Sequence, residues 1–126
     1  MIPALLVFLG GGIGAVLRHG INLASVRAFG PAFPWGTAFV NVAGCFLMGL
    51  VAATMAARSG AWLDGVRLFL ATGILGGFTT FSAFSLDFAR LWERGEVGQA
   101  AAYAGGSVVL SLVALFAGLW VVRAAV

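Results

Sequence analysis

Gly73-Ile74-Leu75-Gly76-Gly77-Phe78-Thr79-Thr80-Phe81-Ser82-Ala83-Phe84-Ser85 stands in the middle of an apolar run long enough to cross a bilayer. Its composition does not suit a plain lipid-facing helix, because three glycines, two adjacent threonines and a Phe/Ser alternation all weaken regular winding. Hydrocarbon offers no partner to a freed N–H or C=O, so irregular backbone at that depth persists only where protein encloses it or where it lines a cavity. The stretch therefore predicts a helix broken near Gly76 to Thr80, whose released carbonyls bind something and whose next half-helix opens with a threonine cap. The other crossings would then serve to enclose that break.

Working outward, the chain of 126 residues is 62% hydrophobic and 9% charged, with a mean hydropathy of +1.09, against roughly 25% charged residues in soluble domains. With ~20 apolar residues needed per crossing, it reads as one all-α domain, residues 1–126, of four transmembrane spans at about 3–26, 34–57, 63–92 and 97–122. Met1-Ile2-Pro3 lacks a basic region ahead of the first apolar run, so that span is expected to stay in the mature protein. All seven basic residues are scattered arginines, which excludes a nucleic-acid surface. Arg58, Arg67 and Arg123 fall on the side of the N-terminus and Arg27, Arg90 and Arg94 on the other, with Arg18 set apart inside the first span. Three against three gives the positive-inside rule nothing to act on, so insertion in both orientations and an antiparallel pairing of two copies are expected. The single cysteine, Cys45, excludes an intrachain disulfide and reads as a packed core thiol.

In the first span Gly10 and Gly14 sit one turn apart, the spacing that lets helix backbones touch. Arg18 either bonds helix-terminal carbonyls or gives a water-filled vestibule a positive field that gathers anions; His19 reads as interfacial. In the second span Thr37, Asn41 and Cys45 follow at i, i+4 and i+8 on one face. An amide at Asn41 needs partners that lipid lacks, so it is either an interhelical clamp or a donor on a polar path. After the break, Phe81 and Phe84 share a face beside Ser82 and Ser85, and their ring edges carry partial positive charge. Asp87 lies one turn before Arg90 and is expected to pair with it. Tyr103, Ser107 and Ser111 repeat the hydroxyl stripe in the fourth span.

No catalytic constellation is present: the four acids, Asp64, Asp87, Glu93 and Glu96, lie near loops or span ends, and no His/Cys metal set exists. The chain is not expected to be an enzyme. Its membrane inventory donates hydrogen bonds and suits a small anion, whereas carbonyls freed at the break suit a small hard cation. Four short spans cannot surround both, so an oligomer is required.

Gly11-Gly12-Ile13-Gly14-Ala15-Val16-Leu17-Arg18, Gly36 through Phe46, and Gly73 through Phe84 resemble the three signatures of the Fluc (CrcB) fluoride channels, over the whole chain. The resemblance implies a dual-topology antiparallel homodimer in the cell (inner or plasma) membrane that exports cytoplasmic fluoride passively. It also implies a structural Na⁺ at the dimer centre, held by the main-chain carbonyls of Gly76 and Thr79. Phe81 and Phe84 resemble the family's pore phenylalanines, Asn41 its pore asparagine and Arg18 its vestibule arginine, with Ser82, Ser85, Thr37, Tyr103 and Ser111 on the polar track. Ala83 and Ala38 depart from the family's frequent Thr and Leu. The rival, a dual-topology proton-coupled exporter of cationic drugs, needs a membrane-embedded acid that the first span lacks.

Overall fold

The computed structural model describes all 126 residues. They form α1 (Ile2–Phe29), α2 (Trp35–Ala56), α3 (62–78), α4 (Phe81–Glu93) and α5 (Val97–Ala125). Within α3, an α-helical turn Trp62–Arg67 leads into π-helical winding over Leu68–Leu75 and a closing turn Gly76–Phe78. Four helices are long and apolar enough to cross a membrane, the third being the broken rod Trp62–Glu93. The shortest, α2, has 22 residues, about 33 Å at ~1.5 Å per residue, which covers a hydrocarbon core of ~30 Å.

Three of the four crossings run up to three residues past the expected spans because polar ends continue into the headgroup zone, while α2 falls one residue inside its span at each end. Thus α1 carries Arg27 in its last turn and stops only at Gly30, whose φ of 78° lies in the left-handed region and whose N–H bonds the Val26 carbonyl at 2.8 Å. All four tryptophans, Trp35, Trp62, Trp92 and Trp120, are exposed near helix ends, two at each membrane face, as interfacial anchors.

Two backbone seams hold the bundle. Between α1 and α3, a Cβ at Gly10 would lie 2.6 Å from the Phe69 carbonyl oxygen and 2.9 Å from Gly73 Cα, and one at Gly14 would fall onto the Ile74 carbonyl. Between α2 and α5, a Cβ at Gly49 would lie 3.0 Å from Gly118 Cα. Small residues at both seams let the helices pack on their main chains, which is how apolar helices associate in lipid, where hydrophobic exclusion is lost. The π-helical winding is on the first of these seams, and it sets Gly73 against Gly10 while Gly77 meets Gly11. Gly14→Leu is expected to lose folded protein in detergent, at or beyond the top of the ~1–3 kcal/mol that overpacking costs, because the obstacle is backbone. Gly12→Leu, which meets nothing within 4 Å, is the control; equal thermal stability of the two variants would refute the seam.

Side-chain burial is concentrated at the α4–α5 end of the bundle. Leu91, Ala100 and Tyr103 form a buried cluster, with Phe33, Ala38, Phe84 and Phe88 against it. Arg94 ties this end to the first connection by donating to the Ala32 carbonyl at 2.6 Å.

Candidate functional site

The break falls at Thr79 (φ −83°, ψ 156°) and Thr80 (φ −157°, ψ 124°), two extended residues between helical halves. Thr79 remains attached behind: its N–H and its hydroxyl both donate to the Leu75 carbonyl, at 3.0 and 2.8 Å. Thr80 opens α4 as its N-cap, Oγ1 accepting from the Ala83 N–H at 3.2 Å.

Asn41 supplies what the missing helical turn does not. Its Oδ1 accepts the Thr80 N–H at 2.9 Å, and its Nδ2 donates to the Thr80 carbonyl at 3.1 Å. A side-chain amide thus takes both polar groups of one residue, as a neighbouring strand would, in a setting where each unpaired group costs ~1–3 kcal/mol. Of the two expected roles for Asn41, the interhelical clamp is present, and one amide N–H remains for a second partner. The arrangement leaves the Thr79 carbonyl without a hydrogen bond, and it diverts from Gly76 the N–H that a continuous helix would send there. Gly76 itself is exposed, and a Cβ there would meet only the Ala71 carbonyl oxygen at 3.7 Å.

Beside the break is a cavity of about 340 Å³. Asn41 and Cys45 line it from α2, Thr79, Thr80, Phe81 and Phe84 from the break and α4, and Ser107, Val108, Ser111 and Leu112 from α5. The phenylalanine rings are 5.4 Å apart between centroids and tilted by 43°, and Phe81 is 77% exposed on the single chain.

Not every expected donor has a free proton. Ser85 is exposed and its hydroxyl donates to the Phe81 carbonyl at 3.0 Å. Tyr103 is 2% exposed, lies behind Phe84 with centroids 5.2 Å apart, and donates to Asp87 Oδ2 at 3.2 Å. Asp87 also meets Arg90 at 3.8 Å, the expected pair. Thr37 is buried, and Ser82 is exposed beside the break with its Oγ 3.3 Å from Thr80 Oγ1. Arg18 is half-buried on α1, away from this wall, in neither of the chain's two ion pairs. The structure therefore brings Asn41, Phe81, Phe84, Ser111 and Thr79 to one cavity, with Tyr103 behind it. Besides the apolar Val108 and Leu112, it adds three residues to the expected set, Thr80, Ser107 and Cys45. Thr80 had been expected only as a cap. Ser107 belonged to the Tyr103/Ser111 stripe; it is 7% exposed and its Oγ has no partner. Cys45, expected in packed core, is half-buried and faces the cavity, a place its i+4 spacing from Asn41 already allowed.

Residues 5–119 match the family model described as "CrcB-like protein, Camphor Resistance (CrcB)". The chain belongs to the CrcB family. Over 119 residues it is 60% identical to "Fluoride-specific ion channel FluC 2" of Nitrobacter hamburgensis, covering 94% of this chain and 95% of that protein. It is 56% identical over 123 residues to the "Fluoride-specific ion channel FluC" of Mesorhizobium japonicum, 98% of each. With the protein of that name from Rhizobium etli it shares 53% over 126 residues, 100% of both. The CrcB match runs from α1 to α5 and takes in Arg18, Asn41, the break and Ser111. As a CrcB chain with four crossings it is a multi-pass membrane protein, and in a bacterium that membrane is the plasma membrane.

Proposed function

We propose that this chain is a passive fluoride-selective channel, working as a dual-topology antiparallel homodimer that exports cytoplasmic fluoride. The observation that carries this reading is the cavity beside the break, where hydroxyls, an amide and two aromatic rings converge with no carboxylate in the wall. Those groups can replace the water of a small anion that accepts strong hydrogen bonds. The second N–H of Asn41, the hydroxyl protons shared by Thr80 and Ser82, Ser107 and Ser111 are the donors at hand, with the Phe81 and Phe84 rings beside them. Thr37, Tyr103 and Ser85 flank them, the last two with their protons already given to Asp87 and the Phe81 carbonyl, and Arg18 draws anions toward a vestibule.

A structural Na⁺ fits the donor set at the break. The Thr79 carbonyl has no partner, Gly76 has lost its helical one and faces open space, and neutral carbonyls suit a hard monovalent ion. Two carbonyls from one chain are too few to enclose a hard cation, and an inverted copy would supply its own pair, making four. The bound ion would supply fixed positive charge and hold the copies together. The balanced arginines, the evenly divided tryptophans and a phenylalanine 77% exposed beside hydroxyls support such a pairing.

The test is fluoride efflux from liposomes containing the purified protein, read with a fluoride electrode against chloride as control; absence of fluoride efflux would overturn the reading. Phe81→Ile is expected to slow that efflux about tenfold or more with the dimer intact, because it removes a polarised ring edge and keeps apolar bulk. Normal flux in that variant would reduce the ring to packing. A proton-coupled exporter is not favoured: Asp87, the acid nearest a crossing's interior, is already bonded to Tyr103 and Arg90.

A further inference from the structure

Cys45 is the chain's single cysteine and stands one turn beyond Asn41 on α2. A buried thiol in apolar packing is a small hydrophobe with no chemistry to perform. This one is half-buried, has no hydrogen-bond or disulfide partner, and forms part of the wall of the 340 Å³ cavity together with Thr79, Thr80 and Ser107. Ser107 is the independent observation that points to a polar guest. Its side chain is 7% exposed, its Oγ finds no acceptor or donor, and it lines the same space. A hydroxyl unpaired at that depth costs ~1–3 kcal/mol unless water or an ion completes it. Cys45 and Ser107 line the same space.

We infer that Cys45 is a covalent modification site inside the anion path, for small uncharged thiol-specific electrophiles. The inference rests on the reading of this cavity as that path: a group added to the sulfur fills space that the ion needs, and conduction stops. Methyl methanethiosulfonate is the probe. The Cys45 thiolate attacks the sulfenyl sulfur, a disulfide bond to cysteine forms as the bond to the sulfonyl sulfur breaks, and methanesulfinate leaves with the electron pair. The thiol proton passes to water. The cysteine sulfur is oxidised to the mixed disulfide and the sulfonyl sulfur is reduced to sulfinate.

The experiment uses the purified protein in liposomes, treated in mildly alkaline buffer because the thiolate is the nucleophile, with intact mass and fluoride efflux measured on the same sample. The expected result is one S-methylthio adduct per chain, efflux slowed about tenfold or more, and recovery of both mass and rate with dithiothreitol. Cys45→Ser, compared with its own untreated rate, is expected to be indifferent to the reagent. A complete adduct with unchanged efflux would overturn the inference, and so would the absence of an adduct on the folded protein when the denatured chain reacts fully. Equal slowing of Cys45→Ser would place the effect elsewhere and overturn it too. If untreated protein carries no fluoride, the channel reading fails and takes the block with it, while the mass still reports whether the thiol is open to the cavity.

Discussion

Gly76→Val is expected to abolish fluoride efflux, by about a hundredfold or more if the shared cation is required for assembly, while leaving the helices of the single chain in place. The backbone at Gly76 is ordinary right-handed helix, φ −64° and ψ −39°, so a side chain causes no strain there. Its Cβ would meet only the Ala71 carbonyl at 3.7 Å. Relative to glycine, valine in a helix even gains a few tenths of a kcal/mol. Nothing within one chain explains a loss of function. The isopropyl group would project from the exposed Gly76 into open space, where a cation and an inverted copy would sit. The informative comparison is Gly77→Val, one residue on, whose Cβ would be driven onto the Gly11 carbonyl and lie 3.0 Å from Gly11 Cα. Gly77→Val should unfold or fail to accumulate. Gly76→Val should keep its helical content by circular dichroism and lose both the dimer, by light scattering in detergent, and the flux. A fully active Gly76→Val would remove the shared ion from consideration.

The contrast between these glycines also shows what could be read from the chain alone. A break was legible because Gly76, Gly77, Thr79 and Thr80 are poor helix residues placed at membrane depth, but it is narrower than the expected Gly76 to Thr80: Gly76 to Phe78 stay helical and only Thr79 and Thr80 are extended, while the threonine cap followed from residue type. Four crossings and the Gly10/Gly14 contact were equally local matters of length and spacing. The π-helical winding of Leu68–Leu75 was not legible, since leucine, phenylalanine and alanine carry no signal for it. It accompanies the fit of Gly73 and Gly77 onto Gly10 and Gly11, which is tertiary. The partner of Asn41 was hidden for the same reason: sequence says that a buried amide needs bonds, but its partner is 39 residues away. Tyr103 read as a donor on a track, and only the folded chain shows its proton committed to Asp87. Ser85 was closer to being legible, because a serine on a helix commonly donates to the carbonyl four residues back, and it does so here to Phe81.

Asn41 gives the second large effect, because the proposed pore donor is also the clamp on the break. If it were only a donor to the passing ion, Asn41→Ala would slow efflux and leave stability alone. The structure makes it the clamp on Thr80, so removing it leaves an N–H and a C=O unpaired in a crossing, at ~1–3 kcal/mol each. Asn41→Ala is therefore expected to lower thermal stability by about 2–6 kcal/mol and efflux together. Asn41→Asp should be worse. One carboxylate oxygen can still accept the Thr80 N–H, but the other replaces a donor and sets a negative charge against the Thr80 carbonyl oxygen, where 3.1 Å now separates hydrogen-bond partners. The same charge faces the cavity and repels an anion there. Efflux should fall below detection, with a melting temperature lower than that of Asn41→Ala. An Asn41→Ala protein that melts with the wild type would show that the amide does not hold the break. The extended pair Thr79–Thr80 would then need another support, and no other side chain in the structure reaches the Thr80 N–H or C=O.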